Sequence, residues 1–177
     1  VPLSVVTRIE LAKVDLDPYL PTSDSGPTGF RLPVDKVTPI LALLGPSIGL
    51  KLKVGRVDWK GEAISGVELD VARAAGTLNL DSFKIANIAG ATASLRGAIA
   101  NYWTKEPKGH VAFEFRAPDI DRVLKLVGQP PSGVGPLSMS GGASGSWDEL
   151  AVKDFALNAT GWQVLASGVL AIPEAKA

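Results

Sequence analysis

Leu50-Lys51-Leu52-Lys53-Val54 and Val67-Glu68-Leu69-Asp70-Val71 decide the fold class. In each run apolar side chains alternate with charged ones, and a period of two sends the two sets to opposite sides of an extended chain. A helix would scatter the same apolar residues around its circumference. Val111-Ala112-Phe113-Glu114-Phe115-Arg116 alternates in the same way in the second half of the chain. Working outward, residues 77–81, 83–88, 91–100, 150–159 and 163–172 also read as strands, with Gly61, Gly66, Gly76, Gly90 and Gly161 near the joints. Connections this short favour antiparallel pairing. The expectation is one mainly β (β-dominant α+β) domain over residues 1–177, built on a twisted antiparallel meander sheet.

Two short helices are expected beside it. In residues 118–128 the apolar Ile120, Val123, Leu124 and Val127 fall at helical spacing, with Asp119 placed to cap the start and Gly128 to end it. In residues 38–44, Thr38 and Pro39 suit an N-cap and first helical position, and Gly45 a stop. Set side by side, these helices suggest an internal repeat. Leu41-Ala42-Leu43-Leu44-Gly45-Pro46 resembles Leu124-Lys125-Leu126-Val127-Gly128-Gln129-Pro130, and each precedes an alternating run ending at Trp59 or Trp147. Phe83-Lys84-Ile85 and Phe155-Ala156-Leu157 come next, then Gly90 or Gly161, then Gly97 or Gly168. The units span approximately residues 37–100 and 119–172, after a lead-in strand and loop in 1–36. The first unit carries an extra hairpin at about Gly61 to Gly76.

Composition narrows the function classes. Lys plus Arg and Asp plus Glu each total 18, so the formal net charge is zero and no basic field is available for a phosphate backbone. Nucleic acid is therefore not an expected partner. Hydrophobic residues make up 46% with aromatics at only 6%, so the apolar content is mostly Ala, Val, Leu and Ile. Cysteine is absent, which removes disulfides and thiolate metal sites. The uncharged stretch from Val37 to Leu50 is interrupted by Pro39, Gly45, Pro46 and Gly49 and falls short of the roughly 20 apolar residues a spanning helix needs. A chain that begins with Val reads as a piece of a larger protein.

Val14-Asp15-Leu16-Asp17-Pro18-Tyr19-Leu20-Pro21 resembles a segment of AsmA-like proteins, and the later segments resemble that family in their order. Val67-Glu68-Leu69-Asp70-Val71, then Ala75-Gly76-Thr77-Leu78-Asn79-Leu80, then Ile88-Ala89-Gly90-Ala91 carry the likeness from about residue 9 to 172. Gly90-Ala91 departs from it, since the family often has two glycines there. The resemblance implies a periplasmic segment of an inner-membrane-anchored protein of a Gram-negative bacterium, related to the bridge-like lipid transfer proteins of the TamB and YhdP type. It further implies partners in phospholipid or another envelope lipid and in the remainder of the parent chain, with envelope proteins as a further option.

Residue patterns that suggest catalysis are few, and no enzyme, metal or cofactor is expected. Gly45-Pro46-Ser47-Ile48-Gly49 has the spacing of a nucleophile elbow, but that motif needs a strand before the serine and a helix after it. Here a helix precedes and a strand follows. The acidic pairs Asp15/Asp17 and Asp119/Asp121 offer oxygen ligands suited to a hard cation, yet a turn and a helix cap account for them. His110 is expected in an exposed loop. Of the four tryptophans, Trp59 and Trp147 hold matching places in the two units, which favours packing. Trp103, beside Tyr102 in a polar loop, is the candidate for touching lipid or a partner.

The candidate functional surface is the apolar side of the sheet: Leu52, Val54, Leu69, Val71, Leu78, Leu80, Phe83, Ile85, Phe113, Phe115, Phe155 and Leu157. As an open groove it would hold or conduct phospholipid between inner and outer membranes. As a closed core it would leave a structural or assembly-scaffold module for outer-membrane biogenesis, acting through protein contacts at a sheet edge.

Overall fold

The structure is a computed structural model that describes residues 5–15, 47–102, 104, 107–146 and 148–171. The expected helix at 38–44, Trp103 and Trp147 lie outside these residues. Nine strands, β1 (Val5–Asp15), β2 (Ile48–Trp59), β3 (Glu62–Ala74), β4 (Thr77–Ile88), β5 (Ala91–Ala100), β6 (Lys108–Ala117), β7 (Leu137–Gly145), β8 (Glu149–Ala159) and β9 (Trp162–Ala171), form one open sheet in sequence order. A single described helix, α1 (Ile120–Leu126), follows β6.

From β2 onward every pair is antiparallel, whereas β1 lies parallel to β2. The sheet is therefore mixed, which corrects the expectation of a wholly antiparallel meander. The reason is connection length: a parallel pair needs a crossover of a dozen or more residues, and the chain has more than that between Asp15 and Ile48. Elsewhere the connections are tight. Lys60-Gly61, Ala75-Gly76 and Ala89-Gly90 all have positive φ at both positions, the two-residue turn whose twist matches that of the flanking strands.

Three further corrections concern element boundaries. Residues 77–81 and 83–88 form one strand, β4, with an extra residue at Asp81 and Ser82 relative to both neighbours. The interval from Gly61 to Gly76 holds one strand rather than a hairpin, so β2 and β7 run in opposite directions. His110 lies within β6, exposed, opposite Ala98 and Ser144. The helix boundary behaves as expected: the Asp119 side chain accepts from the Asp121 N–H, and Gly128 takes φ +78° just beyond the last turn.

A line of small residues crosses the first four strands. Between Ile85 and Ile88, β4 carries one residue more than β5. The same spacing of three recurs in β3, β2 and β1, so Ile64 and Val67, Val54 and Val57, and Leu11 and Val14 stand in step with it. The row between them consists of Ala12, Gly55, Gly66 and Ala86. At Gly66 (φ +62°) an added Cβ would lie 2.6 Å from the Ala86 Cβ, and at Gly55 one would lie 2.8 Å from the Ala12 carbonyl oxygen. Only glycine accepts both the backbone conformation and the approach. The consequence is a core: Val54, Val57 and Ile64 are buried on one another, with Val14, Leu52, Trp59, Val67, Ile85 and Ile88 packed around them.

Candidate functional site

Residues directly opposite one another in adjacent strands share a face, so the registers sort every strand residue onto one side or the other. One row runs Ile9, Leu52, Leu69, Phe83, Leu95, Phe113, Gly141 across seven strands. A second runs Leu11, Val54, Val67, Ile85, Ala93, Phe115, Met139, Leu157, Val164 across all nine. A third contains Leu50, Val71, Leu80, Gly97, Val111, Ala143 and Val152, and a fourth Leu78, Ile99 and Leu150. All twelve residues singled out from sequence fall on this one side. Nine strands at about 4.8 Å spacing and four rows about 7 Å apart give a face of roughly 38 by 20 Å.

The opposite side is polar. Across β1 to β4 the charges alternate in sign in one row, Glu10, Lys53, Glu68, Lys84, while in the next Arg8 and Lys51 lie side by side and Lys51 faces Asp70. Lys51 bonds Asp70 at 2.6 Å, Lys53 meets Glu68 at 3.1 Å, and Asp58 takes both Lys13 and Arg56 at 2.6 Å. Hydrogen bonds from Lys13 first, then Arg56, hold the Asp58 carboxyl below the ordinary carboxylate range. Exposed pairs of this kind add little stability, but they make the wrong face costly to bury and so keep this side toward water.

The apolar face is neither a dry core nor bare surface. Of the twelve residues only Val54 is buried, at 6% exposure, and the other eleven are half-buried. A closed sandwich would bring a second layer of strands against them, whereas among the described elements the extensive contacts are all between strands that are neighbours in the one sheet. At the centre of the face Phe113 and Phe155 approach each other across β7, ring centroids 6.4 Å apart and tilted at 52°. They meet above Gly141, where an added Cβ would lie 3.4 Å from the Phe113 ring and 3.1 Å from the Phe155 Cα. Glycine in the intervening strand is what lets two rings from strands two places apart touch.

Trp59 joins the buried cluster, with the Lys60 ammonium 5.4 Å from its ring centroid. Trp162, in register with Ala159 and Leu137 at the far edge, is 46% exposed. Helix α1 lies near one end of the rows, where its Leu126 and the adjacent Ala117 are buried. Its Asp121 accepts from the backbone N–H and hydroxyl of Ser132 at 2.6 and 2.7 Å and from the Gly133 N–H at 3.1 Å. These donors, the Ser132 hydroxyl foremost, hold its carboxyl below the ordinary range and tie the connection before β7 to the helix. Both carboxylates of the Asp119/Asp121 pair thus have structural partners. No group of three or more metal-binding side chains occurs among the described residues. Ser47 stands immediately before β2, as a strand-preceding turn requires.

Leu50, Val67 and Val111, the other apolar members of the alternating runs, share this face, and sequence reasoning missed Leu95, Met139, Val152 and Val164 on it. Met139 lies among small residues that blur a period of two, and Val152 is separated from Phe155 by the bulge at Asp154 (φ +50°). A spacing of three flanked by apolar residues was the available signal. A shallow depression of about 540 Å³ lies on the polar side over Ser82, Ser94 and Ser140, where side chains are short. No helix among the described residues is long and apolar enough to cross a membrane. Compared with protein-family models, curated proteins and solved structures, the chain matches none of them.

Proposed function

We propose that this chain is a non-enzymatic, lipid-holding segment of an AsmA-like envelope protein, and that its apolar face receives the acyl chains of phospholipid. The observation that carries the reading is the division of one open sheet into a continuous apolar side and a charged side, with the apolar side chains largely half-buried from β2 to β8 and exposed on the two outer strands. Four rows amount to roughly 750 Å² by strand spacing, above the roughly 300–600 Å² of the largest apolar patch on an ordinary monomer. Acyl chains suit such a face because they demand no hydrogen bonds. Headgroups would lie at its rim, where the fourth row carries Arg73 between Ile48 and Leu78.

The periplasmic setting, the anchoring of the parent protein in the inner membrane and the passage of lipid between membranes belong to this proposal and follow from the resemblance to the AsmA family. The duplicated unit belongs to it also, in a reduced form. Hairpins β4–β5 and β8–β9 run in the same direction, each has a bulge just before its phenylalanine (Phe83 or Phe155), and each sets a glycine (Gly97 or Gly168) opposite Leu80 or Val152. Repetition of such hairpins is a simple way to lengthen an apolar face without closing it.

A second reading, a scaffold acting through protein contacts in outer-membrane assembly, is favoured by the ten-residue edge strand β9, every residue of which is exposed. Native mass spectrometry of the chain purified from bacterial envelopes separates the two. Adducts of phospholipid mass that disappear in a Phe113→Asp, Phe115→Asp double variant with an unchanged circular dichroism spectrum support the lipid reading. Quenching of Trp162 fluorescence by vesicles of brominated phosphatidylcholine, in a variant retaining that tryptophan alone, places the acyl chain. A lipid-free mass and no quenching would overturn it.

A further inference from the structure

The apolar face carries charge at its two ends and nowhere between. Among the paired strand residues that the registers place on this side, only Glu62 and Arg73 are charged. Both belong to β3, one at each end, roughly 35 Å apart by strand rise. Glu62 is exposed, beside the Lys60-Gly61 turn and opposite Trp59. Arg73 is half-buried among apolar neighbours, with Ile48 and Leu78 opposite it and Ile99 next in the row. Partial burial of a cation costs free energy that the polar side of the same strand would not exact.

Local structure gives that cation a defined setting. The Asn101 N–H donates to the Gly76 carbonyl at 2.9 Å, which pins the β5–β6 connection against the β3–β4 turn, and the Thr104 N–H and hydroxyl both donate to the Asn101 carbonyl, at 2.8 and 2.9 Å. Tyr102 is thereby held beside Arg73, whose Cζ lies 5.7 Å from the ring centroid. A guanidinium offers an aromatic ring its flat face, and its N–H donors lie in its plane, in the fork that matches phosphate oxygens. We infer that Arg73, set on Tyr102, binds the phosphodiester of a phospholipid, and that the acyl chain runs from there along β3 and β4 toward Glu62. The inference rests on the lipid reading above and gives it a polarity. Arg73 marks the end that attracts phosphate, and the Glu62 carboxylate marks the end that repels it. One acyl layer is about 15 Å deep, half the hydrocarbon core of a bilayer. At about 3.3 Å per residue that length crosses Val71 and Leu69 and stops short of Val67, with Leu80 and Phe83 alongside. The chain thus meets apolar side chains throughout and ends far from Glu62.

Dodecylphosphocholine and dodecyl maltoside share one alkyl chain, and only the first contains a phosphodiester. Each is titrated into the full chain below its micelle concentration, with binding followed by amide chemical shifts. The phosphate amphiphile should bind about tenfold more tightly, as a charge-assisted hydrogen bond implies. Arg73→Gln should abolish that preference with dodecyl maltoside binding and the circular dichroism spectrum unchanged, Arg73→Lys should keep part of it, and Glu62→Gln should keep all of it. A lysophosphatidylcholine with a nitroxide at the far end of its acyl chain should broaden the amides of Leu69 and Val67 more than those of Leu78 and Ile99. Equal affinities, a preference that survives Arg73→Gln, or one lost in Glu62→Gln would overturn the phosphate site and leave the lipid reading standing. Broadening in the reverse order would overturn the direction of the chain. If neither amphiphile binds, the lipid reading falls and takes this site with it.

Discussion

Strands β2–β4 and β7–β9 are both antiparallel triplets within one sheet, yet they are held in place by different means. The first triplet supplies the buried cluster of Val54, Val57 and Ile64 and two cross-strand ion pairs on its polar side. The second has no buried residue and no ion pair among the described residues, and its first strand, Leu137–Gly145, is mostly serine, glycine and alanine. Charges on alternate residues make a strand complete as one layer, with one side wet and the other apolar. An uncharged strand depends on whatever lies beside it. The first triplet is thus a foundation, and the second is a surface waiting to be covered.

The largest effect that would break this contrast lies at Gly66. Gly66→Val should cost about 2–4 kcal/mol, combining left-handed strain with the clash at Ala86, and chemical denaturation should show it as a fall in midpoint. A loss under about 0.5 kcal/mol would mean that the line of small residues does not organise the first triplet. A matched pair of substitutions comes next. Val57→Ala should cost about 2 kcal/mol through its buried site, while Val164→Ala in the exposed β9 should cost under about 0.5 kcal/mol. Equal costs would erase the distinction.

The smallest effect is local and acidic, at the connection between the triplets. Because Asp121 has its carboxyl held below the ordinary value, its contribution is complete above the unfolded carboxylate pKa of about 3.9 and is lost as pH falls through the lowered one. Amide exchange at Ser132 and Gly133 should therefore quicken relative to neighbouring amides as pH drops from about 5 toward 2. An Asp121→Asn variant should show the loosened behaviour throughout that range.

Much of the sheet was legible because Lys51, Lys53, Glu68 and Asp70 punctuate their strands with charge, leaving no doubt about period or face. Helix α1 was equally legible from Asp119 and Gly128, whose capping roles depend on local chemistry alone. The illegible part was whatever depends on partners distant in sequence. The parallel placement of β1 needs knowledge of where a long connection leads. The bulges at Asp81 and Ser82 and at Asp154 shift the phase of alternation, so Leu80 and Phe83, three apart, belong to one face although a period of two separates them. The touching of Phe113 and Phe155 is invisible in sequence because it depends on Gly141 lying between them in space.

The row formed by Ala12, Gly55, Gly66 and Ala86 carries a consequence for how such a chain can change length. Deleting one residue near Ala86 would turn the rest of β4 inside out, placing Lys84 or Asn87 where an aliphatic chain belongs. The damage could be repaired only by matching deletions in β3, β2 and β1. Four strands are therefore bound to gain or lose residues together, while hairpins beyond β5 are free to be added or removed one at a time. Descendants of this chain should vary in the number of their later strands and hold constant the lengths of the first four.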